Sequence, residues 1–133
     1  TCSNGRCNDR MPAMDRPFNG ARILVVEDNF LAAEVVRDML ESSGCTVIGP
    51  VARVSDGVRL AEQGTPDGAV LDINLNGDWC FPIARALRQR DVPFIFLTGY
   101  DDAAIIPPEL RSVRRLGKPF VSTQLIEVLA EVI

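Results

Sequence analysis

Short uninterrupted apolar runs recur along this chain, and amphipathic stretches of helical period fill the intervals between them. A strand apolar at successive residues has to be covered on both faces, the condition of a parallel sheet flanked by helices. Ile23 to Val26 is such a run. It ends in Glu27-Asp28-Asn29, and a helix follows with Leu31, Val35, Val36, Met39 and Leu40 expected inward and Gly44 as its stop.

The same unit then repeats. Thr46 to Val51 reads as a strand, followed by a helix from Ser55 to Gln63 with Val58 and Ala61 inward. Ala69 to Leu71 reads as a third strand, ending at Asp72. A loop through Asn76-Gly77 leads to a helix from about Pro82, where proline fits the first turn. Phe94 to Leu97 is a fourth strand, closed by Thr98-Gly99-Tyr100, and Val113 to Leu116 a weak fifth before Gly117-Lys118-Pro119. Ser122 is expected to cap a last helix that turns Leu125, Leu129 and Val132 inward.

Alternating strands and helices predict an α/β fold: a flavodoxin-like, doubly wound (βα)5 domain with a five-stranded parallel sheet in the order 2-1-3-4-5. The fourth helix is the exception. Pro107-Pro108 interrupts residues 101–111, and proline inside a helix costs about 3 kcal/mol, so a shortened or irregular segment ending by Ile106 is expected. Residues 1–20 are polar and aperiodic, and read as a disordered or vector-derived tail ahead of one domain, 21–133.

Composition narrows the chemistry. The formal charge of -4 disfavours direct contact with nucleic acid. Without histidine, zinc-hydrolase sites and Ser-His-Asp triads are excluded. No apolar run could span a bilayer, so a cytoplasmic protein with no membrane partner is expected. Cys2 and Cys7 fall in the tail and Cys45 and Cys80 in the body. Neither pair has zinc-ligand spacing, and the latter two are expected to be reduced.

In a doubly wound sheet, ligands sit beyond the carboxyl ends of the strands, where strand order reverses. Glu27 and Asp28 follow strand 1, Asp72 strand 3, Thr98 strand 4, and Lys118, the only lysine, strand 5. Any one of these alone would more often be a helix cap or a solvated loop residue. Together, in order after four separate strands, they form a constellation. Like charges ~4 Å apart repel by ~4 kcal/mol at an effective dielectric near 20, so a carboxyl becomes neutral or a cation binds. Hard oxygen ligands select Mg2+ or a similar ion, and the lysine completes an electrostatic cradle for a phosphoryl group.

On Ile23-Leu24-Val25-Val26-Glu27-Asp28, Val70-Leu71-Asp72, Leu97-Thr98-Gly99 and Gly117-Lys118-Pro119-Phe120, the chain resembles response-regulator receiver domains. The resemblance covers nearly all of residues 22–133. It implies that Asp72 is a phosphoacceptor, supplied by a histidine kinase or a histidine phosphotransfer protein. It further implies Mg2+ held by Asp28, Asp72 and the backbone carbonyl of Asn74, with Glu27 reaching the ion through a water. Thr98 and Lys118 would bind phosphoryl oxygens, the domain would not be an enzyme, and phosphorylation would change the binding of a downstream protein.

Pro93-Phe94-Ile95-Phe96-Leu97-Thr98-Gly99-Tyr100 is similar to the motif of a subgroup of single-domain receivers nicknamed FAT GUY, with Leu97 in place of its alanine. Most receivers carry an aromatic residue three positions before the lysine, where this chain has Arg115. The resemblance implies Thr98 and Tyr100 as the switch pair, with a tyrosine packed over the loop as the alternative for Tyr100, and a stand-alone phosphoacceptor. Two alternatives belong beside this reading. A haloacid-dehalogenase-like phosphatase would need an acid two residues after its nucleophile, where Asn74 stands. A pseudo-receiver, binding partners without phosphorylation, would not need the full acid set.

Overall fold

The computed structural model describes residues 18–99 and 102–133, apart from the side chain of Ala103. The rest of the expected tail, residues 1–17, and Tyr100 lie outside the described residues. Among the described residues seven strands occur: β1 (Arg22–Val26), β2 (Thr46–Val51), β3 (Gly68–Asp72), β4 (Asn74–Leu75), β5 (Asp78–Trp79), β6 (Phe94–Thr98) and β7 (Arg115–Gly117). Four helices accompany them: α1 (Phe30–Ser42), α2 (Val54–Gln63), α3 (Phe81–Gln89) and α4 (Ser122–Val132).

Five strands form one parallel sheet in the order β2-β1-β3-β6-β7. Counting only these strands, that is the expected 2-1-3-4-5 order. The apolar runs are continuous because alternate residues serve two cores. Leu24, Val26, Ala69 and Leu71 pack with α2 and α3, whereas Ile23, Val25 and Val70 pack with α1 and α4. Phe18, within the expected tail, is buried in the second of these cores.

Several local readings are corrected. The face of α1 on the sheet is Ala33, Val36 and Leu40, while Leu31 and Val35 are exposed. At 100° per residue, Leu31 and Val35 fall nearly opposite Ala33; the helix carries two apolar stripes and only one meets the sheet. Ser122 is the first residue of α4 and not its cap. Val121 precedes it, and the Val121 N–H donates to Gln124 Oε1 at 2.9 Å. The fifth sheet strand begins at Arg115, two residues later than expected. Asn76-Gly77 is more than a loop: both residues have positive φ, 55° and 98°, and turn the β4–β5 hairpin.

After β6 the chain makes two single turns of 3-10 helix, Asp102–Ile105 and Pro108–Leu110, where the proline pair forbids a regular helix. Ile106 and Leu110 are buried, and the Arg85 guanidinium of α3 donates to Glu109 Oε2 at 3.1 and 3.0 Å. No helix among the described residues is long and apolar enough to cross a membrane. Cys45 and Cys80 are buried free thiols.

Gly57 of α2 lies against α3, where an added Cβ would sit 2.4 Å from Ile83 Cδ1. Gly57→Ala is expected to destabilise the fold by about 1–3 kcal/mol through overpacking. Urea unfolding would show a lower midpoint at unchanged slope; an unchanged midpoint would mean that Ile83 moves aside freely.

Candidate functional site

Sheet register brings the site together. Val26 pairs with Leu71, so Glu27 emerges beside Asp72; Asp72 pairs with Leu97, and Thr98 with Gly117, immediately before Lys118. The Lys118 N–H donates to the Thr98 carbonyl at 2.9 Å, tying those two strand ends together. Carboxylate oxygens of Glu27, Asp28 and Asp72 lie within 4.8 Å of one another. Glu27 and Asp72 are buried, at 3% and 5% exposure, whereas Asp28 is exposed.

Lys118 stands between the two buried acids. Its Nζ is 3.0 Å from Glu27 Oε1 and 3.2 Å from Asp72 Oδ2. Glu27 Oε2 also accepts from the Asn29 N–H at 3.2 Å. Asn29 in turn caps α1, its Oδ1 accepting from the Ala32 N–H at 2.9 Å. The cap fixes where β1 stops and α1 starts, and so directs Glu27 inward and Asp28 outward.

One ammonium cannot neutralise three acids. Burial pushes the Asp72 carboxyl up, the Glu27 carboxylate beside it adds to the rise, and Lys118 opposes it; the balance is about 7. For Glu27, burial opposes ionisation, but the hydrogen bond with Asp72, the Lys118 ammonium and the Asn29 N–H hold its carboxyl below the ordinary value. Burial likewise opposes the charge on Lys118, and its two acidic partners outweigh this and raise its pKa. Asp72 is thus the member that carries the unfavourable charge.

A cleft of about 390 Å³ opens over Asp72, lined by Asp28, Asn74, Asn76, Gly77, Gly99, Asp102 and Lys118. Asn74 sits at the start of the hairpin, and its side-chain oxygen is engaged by the Gly77 N–H at 2.9 Å. Its backbone carbonyl is what it can offer a cation. Thr98, half-buried at the end of β6, is not among the residues lining the cleft. Arg115 is exposed on β7. Asn76, Gly77 and Asp102 were not anticipated; the Asn-Gly pair is itself the signal of a tight hairpin, whereas nothing local marks Asp102.

The donor set suits a hard divalent cation. Three carboxylates and a carbonyl, with neither histidine nor thiolate in the cleft lining, match the oxygen coordination of Mg2+. The crowding that raises Asp72 is the energy such an ion would relieve.

Comparison with known proteins agrees with this geometry. A family model for the response regulator receiver domain matches residues 23–130. The sensory transduction protein LytT of Bacillus cereus is 32% identical over 111 residues, 81% of this chain and 45% of LytT. The chain spans about half the length of the curated relatives it matches. The solution structure of SdrG from Sphingomonas melonis Fr1 superposes with a TM-score of 0.74 at 37% identity, over 84% of this chain and 95% of SdrG. The receiver domain of the sensor histidine kinase PA1611 from Pseudomonas aeruginosa PAO1, solved with magnesium coordinated in its active site cleft, gives 0.71 at 32% identity, over 85% and 97% of the two chains.

The raised Asp72 pKa has a consequence for stability. Its ordinary value is 3.8, so folding favours the protonated form; that contribution is fully present below about pH 4 and is lost as pH rises through about 7. Asp72→Asn removes the loss. In metal-free buffer at pH 8 the variant is expected to exceed wild type by on the order of 2 kcal/mol, and by much less at pH 5. Thermal unfolding of both proteins at the two pH values checks this; an excess of the variant over wild type no larger at pH 8 than at pH 5 would contradict it.

Proposed function

The chain belongs to the response regulator receiver family of two-component signalling, and on that premise we propose that Asp72 is its phosphoacceptor and that Mg2+ is its cofactor. The observation that carries the proposal is a buried carboxylate at a strand end, facing an open cleft, with two further acids and an ammonium in reach.

In this reading Asp28, Asp72 and the Asn74 carbonyl would hold the ion, with Glu27 as the supporting acid beside them. Mg2+, when bound there, would supply positive charge to the carboxylates and to the incoming phosphoryl oxygens. The magnesium in the PA1611 receiver cleft supports this choice of ion. The donor is a phosphohistidine of a histidine kinase or phosphotransfer protein. An Asp72 carboxylate oxygen attacks phosphorus, the P–N bond breaks, and the imidazole leaves with its electron pair and takes a proton. Lys118 neutralises a phosphoryl oxygen. Thr98 turns its hydroxyl from the end of β6 towards another.

The chemistry is positional, as phosphoryl transfer requires: the chain orients an oxygen, supplies charge and binds the product state. No general acid stands two residues beyond Asp72, where Asn74 lines the cleft, which favours an acceptor over a hydrolase. The outcome is altered binding of a downstream protein.

Incubation with acetyl phosphate and Mg2+, followed by intact-mass spectrometry, tests the proposal. Wild type is expected to gain the mass of one phosphoryl group and Asp72→Asn none. Equal labelling of both, or an unmodified wild type, would contradict it.

A further inference from the structure

Several of the donors that line the cleft over Asp72 are already held by acceptors of the protein. Glu27 and Asp72 engage Lys118 Nζ, Asn74 Oδ1 engages the Gly77 N–H, and Asp102 Oδ2 engages the Gly99 N–H at 2.8 Å. The first two arrangements belong to the acid cluster and the hairpin. The third is different. Asp102 comes from beyond the sheet edge and places a carboxylate, a group with the charge and oxygen geometry of an anion, in a cleft that already contains Asp28 and Asp72.

We propose that Asp102 is a resident anion, occupying the Gly99 N–H until a phosphoryl group on Asp72 displaces it. This rests on the reading of Asp72 as phosphoacceptor. A phosphoryl group brings nearly two negative charges and three acceptor oxygens into the cleft. It competes for the Gly99 N–H and repels Asp102, and both effects act in the same direction.

The surroundings of Asp102 allow this exchange. Asp102 opens a single 3-10 turn, and Ala104 and Ile105 on that turn are exposed. The following stretch is fastened: Ile106 and Leu110 are buried, Arg111 Nε donates to the Ile106 carbonyl at 3.2 Å, and Arg85 pairs with Glu109. A displaced Asp102 therefore moves the turn 102–105 as far as Ile106 and leaves the second turn in place. Occupancy of Asp72 is converted into a new surface at Ile105, in the position where a regular fourth helix would lie.

The test is a beryllofluoride titration in Mg2+, followed by amide NMR, on wild type, Asp102→Ala and Asp102→Asn. The alanine variant is expected to bind beryllofluoride about ten-fold more tightly than wild type. The asparagine variant, with a neutral acceptor in place, should fall between them. Before beryllofluoride is added, the Gly99 amide resonance should already be shifted in Asp102→Ala, with the remaining sheet resonances unchanged. Equal or weaker binding by both variants, alongside normal binding by wild type, overturns the role of Asp102 and leaves the Asp72 reading standing. No binding by wild type removes both.

Discussion

Repulsion among Glu27, Asp28 and Asp72, only partly relieved by Lys118, is the constraint around which the rest of this molecule is arranged. Exposed acids would simply turn apart. Here β1 and β3 are buried on both faces, so the backbone that presents Glu27 and Asp72 cannot relax away. The two hydrophobic layers thus hold an electrostatically unfavourable arrangement in place. Lys118 reaches both buried acids because β7 ends opposite Thr98, and its ammonium compensates for one of the charges. What remains falls on Asp72, which is half-protonated near neutrality.

The sheet and this acid cluster were legible in the sequence for one reason: both depend on where strands stop. Apolar runs such as Ile23 to Val26 announce their ends sharply, and a parallel sheet collects those ends on one edge. Glu27, Asp28, Asp72, Thr98 and Lys118 follow from that rule alone, although in the structure the Thr98 side chain remains outside the cleft. What stayed illegible depends on tertiary choice. Leu31 and Val35 have the period of a buried face, yet the sheet takes the stripe of Ala33, Val36 and Leu40. Asp102 follows no strand end, so the rule that found the other acids passes over it, although its carboxylate accepts from the Gly99 N–H three residues earlier.

The proline pair shows how a local rule becomes a functional property. Pro107 and Pro108 break what would otherwise be a fourth helix into two turns with different attachments. The second is held by buried Ile106 and Leu110 and by Arg85 of α3. The first is held at Gly99, inside the cleft. A segment fastened at one end to the core and at the other to the cleft is suited to the proposed coupling with Asp72, and needs no rearrangement of the sheet for it.

Calorimetric titration of Mg2+ into the protein at pH 6 and pH 8 reads the crowding of the acids as a proton-linked affinity. Because Asp72 has to shed its proton for the ion to bind, affinity is predicted to rise about ten-fold between the two pH values. Proton release into the buffer should accompany binding at pH 6. Equal affinity at both pH values with no proton release, or no binding at either, would contradict the account.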